Sequence, residues 1–140
     1  MTGLKAGYID EKIGSDGHKF VINRHQTNSD RLYLFDLYAV DLWAGYDAQR
    51  PLHEEIVQGF TLQPELVLGG GRVQIENREL QLYGESTRYG SVPKKFVEFF
   101  KESILQMYKQ KYPQLESVCI NVPEYSRNET KVTFLDEMVK

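Results

Sequence analysis

The stretch that decides the fold is LVLGGGRVQIENRELQLYGESTRYG, residues 66–90. It opens with a short apolar run that ends in three glycines, which predicts a buried strand followed by a bulge or tight turn. The alternating residues 72–76 and 79–83 predict a β-hairpin that turns at Asn77 and Arg78. One face of this hairpin is apolar, and it consists of Val73, Ile75, Leu80 and Leu82.

The flanking segments extend this hairpin into a mixed α and β pattern. Alternating or aromatic segments predict further strands, and apolar residues at helical spacing predict two helices. The order of strands and helices is that of an α+β domain with one mixed sheet and a helix on each face. The predicted strands cover residues 8–14, 19–25, 31–42 and 117–122, and the predicted helices cover residues 53–62 and 93–112.

Length and composition indicate a single folded domain over residues 1–140. The chain is 41% hydrophobic and 12% aromatic, which is typical of a globular protein. Residues 123–140 are polar and weakly patterned, as is typical of a flexible tail. The fold class and domain organisation therefore follow from pattern alone.

Charge and the apolar runs exclude several classes of partner. The net charge of −3 provides no overall field for nucleic acid, and no apolar run is long enough to span a membrane. The lone Cys119 lies in a predicted strand and is interpreted as a small buried hydrophobe. Because the N-terminal segment lacks a signal-peptide core, we expect a cytoplasmic protein.

Two glycine-bearing segments predict a phosphate site. Glycine leaves backbone amides unobstructed, and Arg72, directly after the first glycines, provides a forked cation that suits phosphate. Ser86 adds a hydroxyl on the neighbouring turn. Taken singly, the glycine triplet is equally well a bulge, and Ser86 is more often a turn residue. The glycines interpreted as structural turn residues are Gly69, Gly70, Gly71, Gly84 and Gly90.

The histidines predict a base but no metal centre. No two of His18, His25 and His53 have metal-ligand spacing, so we expect neither a metal nor another cofactor. His53 is distinctive because it opens a predicted helix, where free backbone amides disfavour the protonated imidazole. An ordinary first residue of a helix is the alternative interpretation of His53.

Together these motifs resemble the Janus/Ocnus family, the small protein histidine phosphatases. The matching pieces stand in the family's order and cover roughly residues 8–122. They are SDGHKFV at residues 15–21, LGGGR at residues 68–72, LYGESTRYG at residues 82–90, and KYP at residues 111–113.

The resemblance implies a fold and an activity. The fold is one mixed sheet of about six strands between two α-helices. The activity is metal-independent hydrolysis of the phosphoramidate bond of phosphohistidine, so the partner is a phosphohistidine-containing protein or a phosphorylated peptide.

The resemblance also implies roles for individual residues. Lys19 contacts phosphate, and Arg72 steadies the site. Ser86 donates its hydroxyl, and Arg88 donates its backbone amide. Apart from the resemblance, Glu54 is also a candidate substrate-binding residue, although an acidic residue there suits a helix N-terminus and needs no catalytic role.

Two positions compete for the catalytic histidine of the family. In an ungapped alignment, Asp47 stands where the family has its histidine. With a short insertion, LHEEI matches the family's helix start and His53 becomes the catalytic residue. The second alignment is favoured because it keeps Ile56 and Phe60 on the buried face of the helix.

A second hypothesis belongs to another functional class. The arginine that the family has on the strand before its histidine has no counterpart, and Arg88 is bulkier than the family's usual small residue. These departures predict a catalytically weak or inactive relative that binds phosphate or an acidic peptide, or that serves in an assembly.

Overall fold

A computed structural model of the protein describes residues 2–10, 18–25, 33–40 and 53–138. In this part of the chain, six strands form one mixed sheet that curls into a half-barrel, in the order β1-β3-β2-β4-β5-β6. The β1–β3 and β5–β6 pairs are parallel, and the other pairs are antiparallel. The strands are β1 (Thr2–Ile9), β2 (His18–Arg24), β3 (Tyr33–Val40), β4 (Val67–Glu76), β5 (Glu79–Tyr83) and β6 (Ser117–Asn121).

The predicted α+β class and the six-stranded mixed sheet are confirmed, but the helices are short. The predicted helix over residues 93–112 is divided at Phe100, which leaves the helical region with φ −97° and ψ 17°. The amide of Phe100 still donates to the Phe96 carbonyl at 3.0 Å, so the two pieces remain nearly continuous. The helices are α1 (His53–Gly59), α2 (Lys94–Phe99), α3 (Lys101–Lys109) and α4 (Leu135–Met138).

The strands agree with the sequence pattern except at two places. The first strand spans Thr2–Ile9 rather than residues 8–14, and residues 11–17 lie outside the described part of the chain. The glycine triplet lies inside β4 and does not end a strand. At this point Ile22 pairs with Gly69 and Asn23 pairs with Val67, so one residue of β4 is left over as a bulge.

This bulge corrects the assignment of three of the five turn glycines. Gly69, Gly70 and Gly71 are strand residues, and Gly69 has a φ of 131° that only glycine adopts without strain. Gly84 and Gly90, with φ values of 73° and 77°, do border the turn after β5. The reason is that a bulge and a turn have the same glycine signature in sequence.

The two faces of the sheet carry cores of unequal size. Alternation along β2 directs Phe20 and Ile22 to one face and Val21 to the other. The first face packs under α2 and α3 in a large cluster, with Phe35, Phe96 and other buried apolar residues. The second face packs under α1 in a small cluster of Val21, Val40, Ile56, Val57 and Val67.

The C-terminal segment, whose order the sequence pattern leaves open, packs onto the domain. Val132 and Leu135 are buried members of the large core. The side-chain nitrogen Nδ2 of Asn128 donates to the backbone carbonyls of Tyr89 at 2.8 Å and Ser91 at 3.0 Å. Two apolar side chains at helical spacing and one buried polar side chain are enough to hold a segment that has little overall pattern.

Cys119 is exposed rather than buried. It lies on β6, an edge strand, where Val118 faces the large core and the next residue along the strand faces away. The prediction of a buried strand was therefore right for one face of β6 and wrong for Cys119, because successive strand residues point to opposite faces.

Candidate active site

The register of β2 and β4 places Lys19 beside Arg72. These two residues are direct cross-strand partners in the antiparallel pair. Their neighbours Phe20 and Val73 face the large core, so Lys19 and Arg72 project from the opposite face, the one that α1 covers. Lys19 and Arg72 stand 53 positions apart in the sequence, and the sheet makes them neighbours on one surface.

The imidazole of His53 lies against β4 at the start of α1. Its Nε2 is 2.8 Å from the backbone oxygen of Gly71, and the residue is only 7% exposed. A carbonyl oxygen only accepts, so Nε2 carries the proton and Nδ1, on the other edge of the ring, has the lone pair. A side chain at Gly70 would place its Cβ 2.6 Å from Cδ2 of the ring, so glycine is required at that position.

The environment of His53 keeps its imidazole neutral. The pKa of His53 is lowered to about 4, mainly by burial, with smaller contributions from the charges of Lys19 and Arg72 and an opposing effect of the hydrogen bond to the Gly71 carbonyl. The neutral form that the sequence predicted is therefore present, but for a different reason. Burial between a helix and a strand, rather than free helix amides, is the main cause.

His53, Lys19 and Arg72 line one open pocket with a volume of about 550 Å³. Its lining carries three basic and two acidic side chains, so the pocket is cationic in a protein of net charge −3. The complete lining is Lys19, His53, Glu54, Arg72, Glu85, Thr87 and Arg88.

Arg88 and Glu54 approach each other at the mouth of this pocket. Nη2 of Arg88 is 3.7 Å from Oε1 of Glu54, and the two side chains are 65% and 38% exposed. An ion pair this long and this exposed contributes little to stability. Both residues, predicted as substrate-binding, therefore lie at the site and can be displaced from one another by a ligand.

Ser86 lies beside the pocket and does not line it. Its Oγ accepts the backbone N–H of Tyr89 at 3.0 Å, and the residue is 2% exposed. It borders a separate cavity of about 330 Å³ that Arg127 also lines. The turn interpretation of Ser86 is thus borne out by its contacts, while its predicted hydroxyl contact with phosphate stays a prediction.

Thr87 and Glu85 are lining residues that the sequence reasoning missed. Both face the His53 pocket, and both also border the cavity next to Ser86. They belong to the same LYGESTRYG segment that the sequence analysis selects. Which of its side chains face the pocket depends on the turn geometry, and no sequence signal reports that.

Asp47, the alternative catalytic position, lies outside the described residues. Within the described ranges, no group of three or more histidine, cysteine, aspartate or glutamate side chains could hold a metal ion. No helix in the same part of the chain is long and apolar enough to cross a bilayer.

The arrangement combines a neutral imidazole with cations that can hold an anion. Fixed positive groups beside a base are the components needed to bind a phosphoryl group and to transfer it to water or to the imidazole. The chain matches no protein-family model, and a search of curated proteins yields no significant match.

Proposed function

We propose that the protein is a phosphohistidine phosphatase of the Janus/Ocnus type, which hydrolyses the phosphoramidate bond of phosphohistidine without a metal ion. The observation that carries this proposal is the neutral His53 imidazole, held by the Gly71 carbonyl beside Lys19 and Arg72. The six-stranded mixed sheet also supports the proposal, because the resemblance implies such a sheet between two helices. Here α1 lies on one face of the sheet, and α2 and α3 lie on the other.

In this mechanism the phosphoryl oxygens rest between Lys19 and Arg72. Nδ1 of His53 takes a proton from water, the water oxygen attacks phosphorus, and the P–N bond breaks. The released imidazole of the substrate takes up a proton. Alternatively, Nδ1 itself accepts the phosphoryl group before water removes it. In the turn after β5, the hydroxyl of Thr87 and the backbone amide of Arg88 are proposed to contact the phosphoryl group.

Substrate binding improves His53 as a base in this mechanism. The depressed pKa partly reflects the two nearby cations. A bound phosphoryl group neutralises those cations and favours a positive imidazole, so it raises the pKa toward the working pH. The pocket thus holds the base neutral until an anion arrives.

The proposal is tested by phosphate release from phosphorylated polyhistidine. Replacing His53 by Ala removes the base, and we expect turnover to fall by about 10²- to 10⁴-fold. Replacing Arg72 by Ala should lower turnover by roughly 10²-fold, because a preorganised charge on the phosphoryl group is lost. Arg78→Ala is the matched control, since Arg78 lies at the other end of the same hairpin and pairs with Glu116 at 2.8 Å. Wild-type turnover in the His53→Ala variant would refute the assignment.

A second candidate function is binding of a phosphorylated or acidic peptide without turnover. The Arg88–Glu54 pair supports it, because a bulky cation at the mouth can retain an anion while restricting access of water. The same assay separates the two candidates. Binding of phosphorylated polyhistidine without phosphate release, by a folded wild-type protein, supports the binding module and rejects the hydrolase.

A further inference from the structure

A second polar cluster lies at the other end of the face that α1 covers. Asn23 and Asp36 are direct cross-strand partners on β2 and β3. His25 follows two residues after Asn23 and continues the ladder, since its N–H donates to the Leu34 carbonyl at 2.8 Å. Residues two apart on a strand share a face, so three polar side chains converge on one spot. There, Nε2 of His25 contacts Oδ2 of Asp36.

Two buried oxygens in this cluster have no hydrogen-bond partner in the described part of the chain. They are Oδ1 of Asn23 and Oδ1 of Asp36. The residues are 8% and 6% exposed, so bulk water does not solvate these atoms freely. Buried polar atoms are nearly always paired, and two acceptors without a donor indicate a missing donor or cation.

A small cavity is available for that cation. About 200 Å³ of space is lined by Asn23, His25 and Asp36, together with the loop that follows α1, including Thr61 and Gln63. The volume suits one ion with its water ligands better than an organic molecule, because pockets for drug-sized ligands begin at roughly 300 Å³.

We propose that Asn23, His25 and Asp36 bind a divalent transition-metal ion such as Zn²⁺. The ligands would be one imidazole nitrogen, one carboxylate oxygen and one amide oxygen, and water in the cavity would complete the coordination. Three protein ligands with open positions are the arrangement of an accessible metal site. The third donor is an amide oxygen instead of another histidine, which is why histidine spacing in the sequence does not reveal the site.

One buried carboxylate provides the charge that attracts a cation at this place. Asp36 is a buried carboxylate, and the other two ligands are neutral when His25 is deprotonated. The neighbouring groups are the Tyr38 hydroxyl, whose pKa is raised by burial, by the charge of Asp36 and by a side-chain hydrogen bond with Asp36, and two cations. Arg24 lines the same cavity and opposes the ion, with its guanidinium carbon 4.9 Å from the centre of the Tyr33 ring. Lys5 is the exposed cross-strand partner of Asp36 on β1. Lys5 competes electrostatically with the ion, but its exposed ammonium group is well screened by water.

The site is tested by titrating Zn²⁺ and Co²⁺ into the full chain after metal removal. Calorimetry should show one Zn²⁺ per chain, and Co²⁺ should give a visible ligand-field spectrum. Mg²⁺ and Ca²⁺ should bind more weakly, because they prefer shells made only of oxygens. The matched variants are His18→Gln, His25→Gln and His53→Gln, which remove the three histidines one at a time.

Of the three histidine variants, only His25→Gln should weaken Zn²⁺ binding. We expect a loss of affinity of at least about tenfold, because loss of even an outer-shell partner of a metal ligand has an effect of this size. Asp36→Asn should abolish Zn²⁺ binding. If that variant does not fold, the nitrogen chemical shifts of the His25 ring are measured in the wild type instead, and they should change when Zn²⁺ is added. Absence of Zn²⁺ binding by the wild type overturns the proposal. So does Zn²⁺ binding that is lost in His53→Gln or His18→Gln, or an Asn23 amide that donates to Asp36 in solution.

Discussion

The two faces of the sheet serve different purposes, although the same strands form both. The face under α2 and α3 is a continuous apolar core, with Phe35 packed edge-on against Phe96 at a ring distance of 4.8 Å. The face under α1 has a small apolar patch between two polar clusters. Lys19, Arg72 and His53 lie at one end of the patch, and Asn23, His25 and Asp36 lie at the other.

This difference shows how a small domain separates stability from chemistry. Burial of large apolar side chains on one face provides most of the hydrophobic stabilisation. The other face can then bury polar side chains, which is unfavourable by itself but shifts pKa values and leaves acceptors for ligands. We therefore expect substitutions on the two faces to have different effects on stability and on activity.

The largest expected effect on stability is on the face under α2 and α3. Replacing Phe96 by Ala removes a fully buried ring that contacts Phe35 and Phe100, and we expect a loss of about 3–5 kcal/mol in the free energy of unfolding. Phe99→Ala is the matched control, because Phe99 lies on the same helix and is 41% exposed. Denaturant unfolding measures both. Equal losses, or a change in phosphate release per folded molecule of Phe96→Ala, would contradict the division of roles.

The next effect concerns acidification of the α1 face. His53 has a pKa of about 4 in the folded protein, against the ordinary histidine value of 6.5 in the unfolded chain. Between these values the unfolded chain binds more protons, so the wild type loses stability as the pH falls from 6.5 to 4. The loss approaches about 3 kcal/mol, since one pKa unit corresponds to about 1.4 kcal/mol. Above pH 6.5 the histidine contributes no pH dependence.

Urea unfolding of the wild type and of His53→Gln over this pH range measures the contribution. The variant has no titrating group at position 53, so its stability should fall less on acidification, whatever its stability at neutral pH. Parallel stability curves for the two proteins would show that His53 is not held neutral by the fold.

Gly70 connects the sheet to the site, and an added methyl group there should affect both. A Cβ would lie 2.6 Å from Cδ2 of His53 and 2.6 Å from the Phe20 carbonyl oxygen. Gly70→Ala should destabilise the protein by about 1–3 kcal/mol and displace the imidazole, with loss of phosphate release. Gly3→Ala is the control, because no atom lies within 4 Å of the added carbon. An unshifted His53 ring resonance in Gly70→Ala would argue against this packing.

The smallest effect is expected at the end of α1. The N–H of Thr61 donates to Gln58 at 3.1 Å and that of Leu62 donates to Val57 at 2.8 Å, which is the Schellman pattern of a helix end. Thr61 occupies the left-handed position with a φ of 56°, where glycine is usual. Thr61→Gly should therefore raise the unfolding free energy by about 0.5–1 kcal/mol.

Asn77→Gly is the comparison for Thr61→Gly. Asn77 also has a positive φ, of 59°, but asparagine tolerates this region better than a β-branched residue does. Thermal unfolding should show the larger gain for Thr61→Gly. A larger gain at Asn77 would mean that backbone strain at the end of α1 is negligible.

Much of the fold could be predicted from local pattern. Alternation located β2 and β5, an aromatic segment with apolar residues on both faces located β3, and a short apolar segment located β6. The turn at Asn77 and Arg78 lies where the hairpin pattern predicts it. Helical spacing located α1 and the α2–α3 pair, although not the interruption at Phe100. The exposed Cys119 and the packed C-terminal segment were missed, because both depend on which surface a neighbouring element covers.

The sequence by itself determined the strand order along the chain and the two glycine-bearing segments, because periodicity and backbone freedom are properties of nearby residues. It also supplied five residues of the candidate site, Lys19, His53, Glu54, Arg72 and Arg88, but not Glu85 or Thr87. Only the tertiary structure decided that Lys19 is the cross-strand partner of Arg72, that His53 is buried against Gly71, and that Thr87 rather than Ser86 faces the pocket. Strand register and burial set distances and pKa values between residues far apart in sequence, and no local pattern encodes them.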